Sequence, residues 1–154
     1  MESARWHNYF INLARVTAGM SKDPITQVGA VLVKDRKILS IGYNGAPRSF
    51  DDELVPSDSS DDLFDNKNSY MVHAELNAIL NYRGNLADLK DSILYVTVSP
   101  CYECAKALIQ LGIKTIIYDT KYHRENSTNF SFYMLEKCGI RIMSLEECLN
   151  ESKN

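Results

Sequence analysis

Two short stretches of this 154-residue chain carry residue types that could do chemistry together. "VHAELNAIL" (72–80) sets His73 and Glu75 at the head of an apolar run, and "SPCYEC" (99–104) sets Cys101 and Cys104 two residues apart. One imidazole and two thiolates make three ligands for zinc. Sites with three protein ligands keep the fourth tetrahedral position for water, whereas closed structural sites have four. Two thiolates and a neutral imidazole cancel the charge of the metal, so a water held there is the next group to ionise, with a pKa of about 7. Glu75 is a hard anion and suits a proton shuttle beside that water better than a fourth ligand.

Plainer readings exist for the same residues. An isolated histidine is more often structural, and one Cys-x-x-Cys can be a redox pair or half a zinc ribbon. No second Cys-x-x-Cys completes a ribbon, and no thioredoxin-like setting surrounds the first. His7 and His123 lack ligand spacing to the thiols, and His7 reads as an exposed helix residue. Cys138 and Cys148 lie near apolar helix faces and read as plain buried or half-buried thiols.

The elements that must position these groups follow from periodicity. Trp6, Phe10, Leu13 and Val16 recur at helical spacing, and Gly19 and Pro24 end that helix. "VGAVLV" (28–33) and "ILSIGY" (38–43) flank "KDRK" as a hairpin. Residues 44–69 hold two prolines, a glycine and many acidic residues, and read as an acidic loop insertion: a lid, a binding loop or a solvated segment with no role. Tyr70 to Tyr82 reads as a helix, "SILYVTV" (92–98) as a strand, and Ser99-Pro100 as the start of a helix that stops at Gly112. "KTIIYD" is a strand, "NFSFYMLEKC" a helix closed by Gly139, and "IRIMS" the last strand. The order α-β-β-α-β-α-β-α-β implies a mainly parallel sheet covered on both faces and opened by one antiparallel hairpin. His73 and Cys101 then fall in the first turns of two helices. Side chains there lean toward the helix start, so two facing starts can bring His73, Cys101 and Cys104 to one point.

Composition bounds the partners. Hydrophobic residues at 45% and charged residues at 24% are ordinary for a globular chain, and its length suits one domain over 1–154. No apolar run is long enough to cross a bilayer, and the polar-broken N-terminus does not read as a secretory signal, so a cytoplasmic location is expected. The net charge of −3 argues against a broad nucleic-acid surface but leaves a small anionic substrate open.

"HAE" followed by "PCYEC" matches the signature of the zinc-dependent deaminases. Together "QVGAVLV", "IGYNGAP", "HAELNAI", "SPCYECAKALIQLGIK" and "KYH" resemble the deoxycytidylate (dCMP) deaminase family over roughly residues 23 to 123. The resemblance implies an α/β fold, a three-layer α/β/α arrangement with a five-stranded mixed sheet. It also implies one zinc ion per chain on His73, Cys101 and Cys104, and hydrolysis of dCMP to dUMP and ammonia for thymidine nucleotide synthesis. Glu75 would take the proton of the attacking water, deliver it to N3 and later protonate the leaving amine. The Ser99 carbonyl would accept the 4-amino group, and the Ala74 N–H would meet the pyrimidine O2. Asn44 matches the family asparagine that contacts the sugar, although in "NG" it also reads as a turn residue tolerating positive φ. Tyr122 would stack on the base or close the pocket. Thr26, Lys22, Lys121, Arg48 and His123 are the candidates for the 5′-phosphate.

Homo-oligomers, specifically hexamers, with dCTP activation and dTTP inhibition, are the partners the resemblance implies. Two departures bear on this. Residues 44–72 contain neither Cys nor His for the second, structural zinc of many members. Ser49 also stands where the family tends to glycine, in a loop that serves effector sites, which leaves regulation open. Rival readings are a deaminase acting on dCTP, a tRNA or single-stranded DNA base deaminase, and a non-catalytic zinc module. The acidic "SDSSDDLFD" speaks against a polynucleotide groove, and Glu75 against a purely structural metal site.

Overall fold

A computed structural model describes residues 3–153. The opening helix α1 (Ala4–Ala18) is followed by β1 (Gly29–Lys34) and β2 (Lys37–Tyr43). Next come α2 (Ala74–Asn81), β3 (Ile93–Val98), α3 (Tyr102–Leu111) and β4 (Thr115–Thr120). The chain then runs through α4 (Glu125–Lys137), β5 (Arg141–Ser144) and α5 (Leu145–Glu151). The strands form one five-stranded sheet in the order β2-β1-β3-β4-β5.

The sheet is mixed, as the resemblance implied, but it is less parallel than the alternation of elements suggests. β1 pairs antiparallel with both β2 and β3, while β3/β4 and β4/β5 are parallel. β2 and β3 point the same way with β1 between them, so α2 is a crossover that passes over one strand. Alternating side chains send the two faces of the sheet into two cores. Leu32, Leu94, Val96 and Ile116 pack with Ala78, Leu108 and Leu135 from α2, α3 and α4. Val31, Tyr95 and Ile117 pack with Phe10, Ala14 and Cys148 from α1 and α5. No helix among the described residues is long and apolar enough to cross a membrane.

Several expectations are corrected. His7 is buried rather than exposed, because it lies on the inward face of α1, where Nδ1 sits 2.9 Å from the Tyr95 hydroxyl. Cys148 is buried, but Cys138 is exposed at the end of α4. The helix expected from Tyr70 starts only at Ala74, since Val72 is held extended by paired backbone bonds to Gly45 (3.1 and 2.7 Å). Helix α5 escaped the sequence reading, although Ser144 and Glu147 carry the spacing of a capping box, and the Ser144 Oγ accepts the Glu147 N–H at 3.1 Å. The acidic segment contains three short 3-10 turns, Asp52–Leu54, Leu63–Asp65 and Lys67–Ser69. In it Ser49 adopts φ 75°, a left-handed conformation that glycine tolerates best.

The seat of α2 is set by glycine. A Cβ at Gly42 would run into the backbone of Ala74 and Ala78, so only a bare strand lets the helix lie this close. Ser40 Oγ donates to the Ala78 carbonyl at 2.6 Å, and Asn77 Nδ2 to the Tyr43 carbonyl at 2.7 Å, fixing the helix along β2.

Candidate metal centre and active site

His73 and Cys101 are each the N-cap residue of a helix, α2 and α3, just ahead of the first turns in which they were expected. Their backbones are extended (ψ 154° and 168°), which turns both side chains back across the helix starts. Cys104, one turn into α3, donates its N–H to Cys101 Sγ at 3.5 Å. The His73 Nδ1 lies 3.5 Å from Cys101 Sγ and 3.4 Å from Cys104 Sγ, and all three donor atoms fall within 4.8 Å of one another.

These separations fit zinc. Zinc–sulfur and zinc–nitrogen bonds of about 2.3 and 2.0 Å at a tetrahedral angle hold sulfur and nitrogen roughly 3.5 Å apart. Both sulfurs also sit at the positive end of α3, where thiolates are favoured. His73, Cys101 and Cys104 are thus positioned to hold a zinc ion, with no fourth protein ligand grouped with them among the described residues.

The protonation preferences of these groups are strongly linked. The Cys104 hydrogen bond, with help from His73 and the Cys104 N–H, outweighs burial and lowers the Cys101 thiol to about 4. Sharing with Cys101, burial and the charge of Glu75 push the Cys104 thiol up. The bond to Cys101 outweighs burial and raises His73. A divalent cation among the three donors favours both thiolates and the neutral ring, so binding it releases protons.

Glu75 lies beside this centre and is buried, 4% exposed. Burial, reinforced by the charge of Cys101, pushes its carboxyl above the usual range despite the opposing pull of His73, its own backbone N–H and Cys104. A carboxyl so placed can serve in turn as general base and general acid.

The centre opens into a cavity of about 170 Å³. A void of about 150 Å³ accepts a benzene ring, so this one has room for a single six-membered ring. Ala74 closes it at the start of α2, where its N–H is among the donors that lack a helical partner. Val98 and Ser99 line another side; the Ser99 Oγ accepts the Tyr122 N–H at 2.8 Å and so positions Tyr122 at the wall. Thr26, Val28 and Asn44 form the facing wall.

Asn44 is buried and has no positive φ, so it is not the left-handed turn residue its "NG" context allowed. Its Oδ1 accepts the Val28 N–H at 2.8 Å and its Nδ2 donates to the Thr26 carbonyl at 2.8 Å, which ties the approach to β1 to the end of β2. Its Oδ1 retains a second lone pair for a ligand hydroxyl.

Lys22 is not brought to the cavity. It is exposed and paired with Asp52 at 2.8 Å, lining a neighbouring groove with Arg48. Lys121 lies over the Phe132 ring at 5.6 Å and does not line the cavity either. The basic side chains that do line the cavity are His123 and Arg124, at the start of α4. Arg124, Asn68, Met71 and Asp23 also line the cavity and were not singled out from the sequence. Only Arg124 had a local signal, as the basic neighbour of "KYH".

Asp23 pairs with Lys67 at 2.8 Å, both side chains almost wholly buried. Burial raises the Asp23 carboxyl, but the bonds from Lys67 and from the Ile25 and Thr26 N–H groups prevail and hold it below its ordinary value.

Residues 4–120 match the family described as the cytidine and deoxycytidylate deaminase zinc-binding region. The deoxycytidylate deaminase of Mus musculus is 43% identical over 138 residues, covering 88% of this chain and 76% of that protein. The Homo sapiens enzyme of the same name is 41% identical over the same shares. Among solved structures, the dCMP deaminase of cyanophage S-TIM5 in complex with dCMP and dUMP superposes with a TM-score of 0.75. It is 23% identical and covers 94% of this chain and 99% of that one, a likeness of fold. With a His-Cys-Cys centre, an adjacent buried carboxyl and a match across most of its length, this chain belongs to the zinc-binding cytidine and deoxycytidylate deaminase family.

Proposed function

We propose that the chain hydrolyses dCMP to dUMP and ammonia and so supplies dUMP for thymidine nucleotide synthesis. The observation that carries this is the buried, unligated Glu75 beside the His73–Cys101–Cys104 centre at a ring-sized cavity. The naming of the mouse and human relatives as deoxycytidylate deaminases supports the choice of substrate.

Bound there, zinc would supply Lewis acidity, which brings the ionisation of water into the neutral range. Glu75 takes one proton of the attacking water and hands it to N3 of the pyrimidine as C4 becomes tetrahedral. It then relays the proton of the new C4 hydroxyl to the departing amine, which leaves a C4 carbonyl. One water is consumed, and the C4–N bond is exchanged for C4–O. The Ala74 N–H meets O2 and the Ser99 carbonyl receives the amino group, while Tyr122 closes over the base. Asn44 offers its spare lone pair to the sugar.

Arg124 and His123 hold the 5′-phosphate, with Thr26 facing them across the mouth. Arg124 is the N-cap residue of α4, which places its positive charge at a helix N-terminus, a favourable seat for an anion. The reading extends to a homo-oligomer, a hexamer by resemblance. The exposed apolar side chains Leu76 and Leu80 of α2 and Ile41 of β2 support self-association, and gel filtration tests it.

An ammonia-release assay on dCMP, deoxycytidine, dCTP and a cytosine oligonucleotide, with and without chelator, tests the substrate. Preferred, chelator-sensitive turnover of dCMP is expected. Equal turnover of deoxycytidine would remove the phosphate reading. Adding dCTP or dTTP to the same assay reads the effectors that the resemblance implies.

A further inference from the structure

Between residues 45 and 73 one residue alone is buried, and it is a lysine. Leu54, Leu63 and Phe64 of the same segment stay in solvent, at 65%, 72% and 85% exposure. Apolar burial therefore does not hold this segment down. Its neck is closed by the paired backbone bonds between Gly45 and Val72, and its body is tethered by the exposed pair of Asp52 with Lys22 and by the buried Lys67, the one screened from water.

The tether ends on one carboxylate oxygen. Asp23 Oδ1 accepts from Lys67 Nζ at 2.8 Å and from the N–H groups of Ile25 (2.8 Å) and Thr26 (3.1 Å). The other oxygen lies 3.5 Å from Asn44 Nδ2, which also holds the Thr26 carbonyl. A continuous set of charged and amide bonds thus runs from the segment through Asp23 into Thr26 and Asn44, the cavity wall. Asn68, next to Lys67, reaches the same cavity.

A buried ion pair is weak evidence for stability, because well-packed apolar replacements are often neutral. It does fix orientation, since three donors converging on one oxygen allow the turn at 23–26 little freedom. We infer that Lys67 is a positioning residue: its pair with Asp23 clasps the 45–72 segment onto the site and fixes Thr26 and Asn44 for the sugar end of the substrate. The inference rests on the nucleotide reading above. Lys67 touches no reacting atom; it acts through Asp23.

The test uses the zinc-loaded whole chain with Lys67→Met and with the double variant Asp23→Asn/Lys67→Met, which leaves no unpaired charge. Both should keep full zinc content. The KM for dCMP should rise tenfold or more, with kcat within about threefold. Amide exchange in peptides covering 23–28 and 44–45 should speed up at least tenfold, while β3 and β4 stay protected. A KM within twofold of the parent in the folded variants overturns the inference, as does unchanged exchange at 23–28. Failure of both variants to fold also overturns it, because the pair would then serve folding rather than the site. Should the parent chain not turn over dCMP, the nucleotide reading fails, and the exchange arm alone decides the clasp.

Discussion

At the metal corner, His73 and Cys101 each occupy the residue before a helix begins. Across the cavity, Asp23, Asn44 and Lys67 come from a turn, a strand end and the body of a long irregular segment. The corner is assembled by local rules: an N-cap conformation, an i, i+3 spacing and a glycine that lets α2 sit on β2. The far wall is assembled by partners 21 and 44 residues apart in sequence, through bonds that no short stretch announces. Loss of a group at the corner should therefore remove chemistry and leave the fold, whereas loss at the wall should loosen substrate and leave chemistry.

The most severe break is Cys104→Ser. Three protein ligands are the minimum the centre offers, so the variant should lose zinc and fall to background turnover while the circular dichroism of the fold persists. Metal analysis beside the ammonia assay checks it. Retained stoichiometric zinc with high activity would contradict the ligand set.

Glu75→Gln separates the proton shuttle from the metal. Zinc content should be unchanged, and kcat should drop by about 10²–10⁴, the range for a general acid–base group. KM should move little, since the amide keeps the shape of the carboxyl. Survival of kcat would take the shuttle role from Glu75.

Arg124→Ala probes the opposite rim. A hydrogen bond to a charged group contributes about 1.5–3 kcal/mol, so the KM for dCMP should rise roughly 10- to 150-fold. Turnover of deoxycytidine should not respond. Equal losses on both substrates would show that Arg124 supports the base or the fold instead of the phosphate.

This division also explains what was legible in the sequence. The sheet, four of the five helices and the quartet His73, Glu75, Cys101 and Cys104 sit in periodic or motif-bearing stretches, where side-chain spacing carries the information. The antiparallel pairing of β1 with β3 was hidden because chain order does not say which strand neighbours which. His7 looked exposed because a polar type on a helix says nothing of the Tyr95 hydroxyl awaiting it 88 residues away. Lys22 looked like a phosphate ligand until its contact with Asp52 placed it outside the cavity. Lys67 lies among acidic residues and was indistinguishable from solvated charge, since only tertiary structure supplies a buried carboxylate.

The mildest test concerns Ser49, in the same segment that Lys67 clasps. The resemblance led to an expectation of glycine there, and the chain nonetheless holds φ 75°, so the substitution has kept the glycine-like turn at the expense of strain. A left-handed conformation costs a residue with a Cβ roughly 1–2 kcal/mol. Glycine loses more entropy on folding, which offsets part of the gain and leaves Ser49→Gly more stable by about 0.5–1 kcal/mol. Thermal unfolding of the zinc-loaded protein should shift upward by a few degrees at most. Because the clasp, not the turn, fixes the wall, dCMP kinetics should remain those of the parent. A changed KM in Ser49→Gly would mean that the loop tip, not Lys67, governs the wall.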